Sequence, residues 1–203
     1  PLFQNDAATC GTNPCGEIIL KSKQFCNLTE VVARPEDTEE TLKRKVRLAT
    51  ILGTYQASLT HFPYLSNEWK QHCEEEALLG VSITGQWDSL NVRNGEILQK
   101  LRTVALETNQ EYAKKFGINP STCITCVKPS GNTSQLTDAS SGMHPRHAKF
   151  YIRRVRIESH NPLFHMLKNM NVPYKPEVGQ VDGQAGTYVL EFPIKAPEGA
   201  IVR

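Results

Sequence analysis

Apolar residues in this chain recur at two spacings, and the alternation between them sets the expected architecture. A short apolar run over 16–20 reads as a strand, after a polar, Gly- and Pro-punctuated loop over 1–14. Residues 26–33 alternate loosely and fit either loop or strand. From about 36 to 60, Leu42, Val46, Ala49 and Leu52 recur every three or four positions, the spacing of one helix face. Asp37 and Thr38 are candidate N-caps, with Glu39 and Glu40 in the first turn, where carboxylates suit the helix dipole. A second helix starts at Ser66 or Asn67 and runs to about Leu79, and Val81–Thr84 is a strand closed by Gly85. A third helix spans Gly95 to Phe116, with Leu98, Leu101, Ala105 and Tyr112 on one face and Gly117 as its stop.

Further strands are expected over 122–127, 151–157 and 187–194, with a short helix over 160–170. Strands alternating with long helices indicate an α/β fold with parallel pairing.

Composition narrows the class. Of 203 residues, 39% are hydrophobic and 22% charged, which suits a core-forming globular chain and excludes wholesale disorder. Lys and Arg number 23 against 21 Asp and Glu, a net charge of +2, so the chain is not built mainly to grip nucleic acid or an anionic membrane. No apolar run reaches the ~18 residues of a spanning helix, and no signal peptide opens the sequence. The six cysteines are sparse for a secreted disulfide framework. The expectation is a cytoplasmic protein with reduced thiols. Opening at Pro1 and ending without a tail, the sequence reads as a piece of a longer protein, a single stretch over 1–203.

Four segments carry candidate chemistry. In Asn13-Pro14-Cys15-Gly16-Glu17 an amide, a thiol and a carboxylate stand at alternate positions. If the segment is extended, they share a face and form a catalytic-looking set; the alternative is a polar loop with a structural cysteine. Cys26 lies eleven residues after Cys15 and is either a redox partner or a core residue. Lys128-Pro129-Ser130-Gly131-Asn132-Thr133-Ser134 follows a strand and precedes a short helix. It is either a phosphate cradle or an ordinary Ser/Gly turn, and it lacks the P-loop ending. Cys123-Ile124-Thr125-Cys126 has metal-ligand spacing but no second pair, and in a strand its two thiols point to opposite faces, so both read as structural.

Taken together, these segments resemble the catalytic subunit of ribonucleotide reductases, most closely the adenosylcobalamin-dependent (class II) enzymes. The marks are the Asn13–Glu17 segment, Cys26-Asn27-Leu28-Thr29-Glu30, Gly80-Val81-Ser82-Ile83-Thr84-Gly85, the Lys128–Ser134 turn, Ser141-Gly142-Met143-His144-Pro145 and Tyr151-Ile152-Arg153-Arg154-Val155-Arg156, in that order.

The resemblance implies a ten-stranded α/β barrel, of which this chain is part, with a finger loop at about 10–18. It implies that Cys15 forms a thiyl radical and takes the ribose 3′-hydrogen, and that Glu17 accepts the 3′-hydroxyl proton. Asn13 bonds the ribose hydroxyls, and Cys26 is one of two thiols that reduce C2′. Ser130, Gly131, Asn132, Thr133 and Ser134 hold the substrate phosphates. The implied cofactor is adenosylcobalamin, held largely outside this segment. The implied partners are a ribonucleotide, expected to be a triphosphate, and a dithiol or thioredoxin-like reductant. Asn132 stands where the family usually has Thr, and the family's second reducing thiol and C-terminal shuttle cysteines have no counterpart here.

Two other readings compete. A class I reductase large subunit has about twice the Cys15–Cys26 spacing. A non-catalytic phosphate- or zinc-binding module would use the Ser130 turn or the Cys123–Cys126 pair.

Overall fold

The computed structural model describes residues 10–203. Among them the order is β1 (Cys10–Thr12), β2 (Ile19–Lys21), β3 (Asn27–Val32), α1 (Glu39–Ala57), α2 (Asn67–Glu76), β4 (Leu79–Thr84), α3 (Gly95–Phe116), α4 (Gly131–Leu136), β5 (Phe150–Glu158), α5 (Pro162–Asn169), β6 (Tyr174–Pro176) and β7 (Thr187–Lys195). The mixed α/β class expected from the sequence is present. Two compact units divide it, one running through Arg146 with Glu198–Ile201, the other comprising His147–Pro197 and Val202–Arg203.

The first unit is built on β3 and β4, paired in parallel with Leu28 opposite Gly80 and Val32 opposite Thr84. Helix α1 makes the crossover between them, and α1 and α3 bury their inner faces with Val31, Leu79, Val81, Leu101 and Ala105 in one core. At the start of α1 Thr38, not Asp37, is the N-cap. The Asp37 carboxylate instead accepts from the Arg34 N–H at 2.7 Å, the Thr41 hydroxyl and the Lys45 ammonium.

The buried stripe of α1 is Leu42, Val46, Ala49, Thr50, Gly53, Thr54 and Ala57, so Leu52 is not part of the core as expected; it is 63% exposed. The correction is geometric, because Leu52 sits about 100° around the helix from Gly53. Gly53 belongs in the stripe because a Cβ there would lie 3.2 Å from the Leu79 side chain. The α3 face is likewise shifted. Leu101 and Ala105 are buried, but Leu98 is exposed, and Thr108, Asn109 and Ala113 complete the stripe. Asn109 is fully satisfied in the core, donating to the Thr54 hydroxyl at 3.0 Å and accepting from the Ser121 N–H at 2.9 Å.

Three further expectations are corrected. Part of the loop expected over 1–14 lies outside the described residues, and Cys10–Thr12 forms β1, antiparallel to β2. Helix α2 ends at Glu76, with Ala77 in the left-handed conformation, so Leu79 opens β4. The strand expected over 122–127 is reduced to one parallel bridge, Val81 to Thr125. Its backbone still bonds the β4 edge, the Leu79 and Val81 N–H groups donating to the Cys123 and Ile124 carbonyls and the Cys126 N–H to the Val81 carbonyl.

The second unit departs from parallel pairing altogether. It is a three-stranded antiparallel sheet of order β5-β7-β6, in which Phe150 faces Lys195 and Glu158 faces Thr187. The connection from β5 to β7 carries only α5 and β6. The arginines of β5 sit on half-buried and solvated positions, as an antiparallel sheet with one wet face allows. Phe164 of α5 stacks on Tyr188 of β7, ring centroids 4.5 Å apart, and Leu190 and Ala185 close this small core. The described residues form sheets of two, two and three strands, with no closed sheet among them, and none of their helices is long and apolar enough to cross a membrane.

Candidate functional site

The Cys15 loop is the tip of the β1–β2 hairpin. Asn13 and Ile18 close it with the Asn13 N–H donating to the Ile18 carbonyl at 3.2 Å, while the Asn13 side-chain oxygen accepts the Ile18 N–H at 3.1 Å. The Gly16 N–H returns to the Asn13 carbonyl at 3.0 Å, and Gly16 has φ +78°. The segment is therefore a tight turn and not the extended stretch that would align alternate side chains. Asn13 shapes the loop with its own amide oxygen, and its amide N–H₂ group is the part left for a ligand. Cys15 is an exposed free thiol at the apex. Glu17 turns inward, and both its carboxylate oxygens are buried without a hydrogen-bond partner.

The floor beneath Glu17 comes from three segments. Leu28 of β3 faces Gly80 of β4, and alternate side chains of a strand share a face, which puts Cys26 and Glu30 on the side of Leu28. Cys126 reaches the same face across β4. A Cβ built on Gly80 would stand 2.4 Å from the Leu28 side chain and 3.1 Å from the Cys126 sulfur, so only glycine leaves room for them.

The titration behaviour records how close these groups are. Burial pushes the Cys26 thiol up, the Glu17 carboxylate adds to that, and Lys128 opposes it. Burial likewise pushes the Cys126 thiol up, to about 11, again with Glu17, Cys26 and Glu30 adding and Lys128 opposing. Glu17, Cys26, Cys126 and Lys128 thus share one electrostatic neighbourhood, in which both half-buried thiols hold their protons at neutral pH.

The structure places Glu17 and Cys26 in one neighbourhood. Cys126 lies in the same neighbourhood, a proximity that the spacing of the Cys123–Cys126 pair does not announce. The available signal was Gly80, a glycine inside an apolar strand, a position that often marks a close approach. Among the described residues, Cys15, Cys26, Cys73, Cys123 and Cys126 are free thiols, and no trio of His, Cys, Asp or Glu is placed to hold a metal.

The thiolate is the reactive form, and a Cys126 thiol held near 11 is little ionised at pH 8. Iodoacetamide at pH 8 should therefore label Cys15, exposed at the loop tip, well before Cys126, which is half-buried and mostly protonated. Peptide mapping by mass spectrometry checks this; equal labelling of the two would contradict the raised titration of the half-buried Cys126.

The Lys128–Ser134 turn leads into α4. Ser130 caps it in the left-handed conformation, φ 53° and ψ 50°, 2% exposed and with its hydroxyl unpartnered. The Ser134 hydroxyl is used internally, donating to the Ser130 carbonyl, and is wholly buried. That removes Ser134 from the surface a ligand meets. Gly131 and Asn132 are exposed and Thr133 half-exposed, and their N–H groups belong to the first turn of a helix, where donors have no intrahelical partner. A non-glycine residue held left-handed stores strain of order 1 kcal/mol, a cost that is common where backbone is shaped for a ligand.

No protein-family model matches the chain. The likeness is to ribonucleotide reductases. The crystal structure of a B-12 dependent (class II) ribonucleotide reductase superposes with a TM-score of 0.75 at 29% identity, covering 93% of this chain and 30% of that one. The class Id ribonucleotide reductase alpha subunit of Actinobacillus ureae has a TM-score of 0.50 at 21% identity over 79% of this chain and 35% of that one, a likeness of fold alone.

Among curated proteins the homologues are adenosylcobalamin-dependent ribonucleoside-triphosphate reductases. That of Lactobacillus acidophilus is 28% identical over 216 residues, 92% of this chain and 28% of the relative. The chain thus spans under a third of the length of the curated relatives it matches.

Proposed function

We propose that this chain is the part of a class II ribonucleotide reductase that carries the radical loop, one reducing thiol and the substrate-phosphate turn. The reaction is the reduction of ribonucleoside triphosphates to 2′-deoxyribonucleotides, a step toward DNA synthesis. The observation that carries the reading is the pairing of an inward, unpartnered Glu17 carboxylate with the protonated Cys26 thiol beneath a loop whose apex is a free Cys15.

Each part has chemistry to match. Cys15 becomes the thiyl radical and takes the 3′-hydrogen of the ribose. A buried carboxylate without a donor is costly unless something supplies one, and the 3′-hydroxyl of the substrate is such a donor, so Glu17 accepts its proton. The Asn13 amide N–H₂ donates to the ribose hydroxyls. Cys26 gives hydrogen to C2′ as water leaves, a role that needs the thiol protonated, as burial and Glu17 keep it. With a second thiol, the balance is one ribose C–OH and two S–H groups giving C–H, water and a disulfide. A dithiol or a thioredoxin-like protein then restores the thiols. Gly131, Asn132 and Thr133 bind the phosphates, while Ser130 and Ser134 shape the turn. In the whole enzyme the parallel β3–β4 pair and the 123–126 segment form part of the ten-stranded barrel, with the β1–β2 hairpin as its finger loop.

Adenosylcobalamin fits this site in one respect: the Cys15 thiol is exposed and can be met by a radical generator held by other parts of the enzyme. When bound, the cofactor supplies the first radical. None of the described residues is assigned to holding it.

A substrate comparison tests the reading. A full-length reductase carrying this sequence should turn over ribonucleoside triphosphates and use diphosphates poorly. An enzyme that reduces diphosphates alone would contradict it and favour the class I alternative.

A further inference from the structure

The loop from Thr137 to Arg146 is held far more tightly than its lack of regular structure suggests. Its anchor is Arg146, whose side chain is 2% exposed. Its guanidinium grips the equally buried Asp88 carboxylate twice, Nε to Oδ1 at 3.0 Å and Nη2 to Oδ2 at 3.0 Å, and reaches the Asp138 carboxylate at 2.9 Å and the Asp138 carbonyl at 2.8 Å. The Asp88 carboxylate also accepts the Ser140 N–H at 2.7 Å. Thr84, at the end of β4, continues the pin: its hydroxyl donates to the Ser140 carbonyl at 2.9 Å and accepts the Gly142 N–H at 2.9 Å. A buried, fully bonded Arg–Asp pair of this kind fixes geometry more than it adds stability.

What this pin holds against the rest of the unit is the Ser130 turn. The Ser141 hydroxyl lies 2.8 Å from the Pro129 carbonyl oxygen and 3.1 Å from that of Ser130, and donates to this pair. Gly142, at φ +55°, packs so closely that a Cβ there would be 2.5 Å from the Lys128 carbonyl oxygen. The Ala139 N–H donates to the Ser134 carbonyl at 2.8 Å. A Ser130 carbonyl drawn toward Ser141 turns the Gly131 N–H, across the same planar peptide, to the opposite side, and Gly131 is exposed. That contact also maintains the left-handed Ser130, whose strain needs an external restraint. Ser130 itself is buried with its hydroxyl unpartnered, a second sign that this backbone is shaped for something other than its own stability.

We infer that Ser141, anchored through the Arg146–Asp88 pin and Thr84, is a positioning residue that sets the backbone of the Pro129–Thr133 turn to receive the phosphates of the substrate. The inference rests on the turn being the phosphate site, as proposed above. Ser141 acts through the turn and makes no contact with the reacting ribose.

The test uses a full-length reductase carrying this sequence. Ser141→Ala should raise KM for the ribonucleoside triphosphate about tenfold with kcat within about twofold of the parent, the pattern of a lost binding interaction. Its affinity for the corresponding nucleoside, which has no phosphates, should not change. Ser141→Thr, which keeps the hydroxyl, should restore KM. If the alanine variant gives no soluble enzyme, Ser141→Cys keeps the volume, weakens the donor and is read the same way. An unchanged KM, or an equal loss for nucleotide and nucleoside, would overturn the inference. An Asn132→Pro variant, which removes one of the turn's backbone donors in the first helical turn where proline is tolerated, separates the phosphate site from its positioning. A normal KM there removes the turn as the phosphate site, whereas a raised KM there with a normal one in Ser141→Ala removes only the positioning role.

Discussion

Cys15→Ser in a full-length reductase carrying this sequence should lower nucleotide reduction by at least about ten-thousandfold, some 5.5 kcal/mol of lost transition-state stabilisation, while leaving the fold intact. The two halves of that expectation have separate causes. Chemically, serine keeps the shape and a hydrogen-bonding group, but its O–H bond is far too strong to give up hydrogen to the radical generator and recover it from the product. Structurally, Cys15 is exposed at the hairpin apex and free of partners, and the turn is closed by Asn13, Gly16 and Ile18. A surface change of this kind stays within about 0.5 kcal/mol of neutral. Circular dichroism and nucleotide binding should therefore match the parent. Retained turnover would remove Cys15 from the radical role.

Cys26→Ser should separate two steps that the parent enzyme performs together. Hydrogen at the 3′ position of the ribose should still be exchanged, because Cys15 and Glu17 are intact. Sustained turnover with a dithiol should fall at least about a thousandfold, because reduction at C2′ needs two electrons and one thiol cannot close a disulfide. The environment of Cys26 argues for a hydrogen donor over a nucleophile: burial and the Glu17 carboxylate both favour the protonated thiol. The adjacent Asn27 is tied to the Leu78 carbonyl by its backbone at 2.9 Å and by its side chain at 3.0 Å, so the small change of side chain should leave β3 in register. Normal multiple turnover by the variant would show that Cys26 is not a reducing thiol.

The parts of this account that were legible in the sequence are those written in local spacing. The C-terminal end of helix α3 was readable because Gly117 takes the left-handed cap, and the structure adds Asn94 at the other end, its side chain accepting the Glu96 N–H at 2.9 Å. The Cys15 loop and the Ser130 turn were visible as motifs because each is one short run of residues. The faces of α1 and α3 were less legible. Their stripes are completed by Thr50, Thr54, Thr108 and Asn109; the Thr50 and Thr54 hydroxyls return to the helix backbone and Asn109 donates to Thr54, bonds that exist only after folding.

Least legible was everything made by distant pairs. Cys126 joins Cys26 only because β4 lies between them with a glycine at position 80. Arg146 meets Asp88 across 58 residues, and Ser141 meets Pro129 across 12. Spacing along the chain does not encode such contacts. The parallel pairing expected throughout was right for β3 and β4 and wrong for β5, β6 and β7, whose links are too short in helical content to cover both faces of a parallel sheet.

The central claim is that the Cys15 loop works with a cobalamin-generated radical. It is tested most directly by measuring reduction of a ribonucleoside triphosphate by a small dithiol, in a full-length reductase carrying this sequence, with and without adenosylcobalamin. The account predicts turnover only when the cofactor is present, and none from Cys15→Ser under either condition. Turnover without it, dependent instead on a second radical-supplying protein, would contradict the account and place the chain with the class I enzymes.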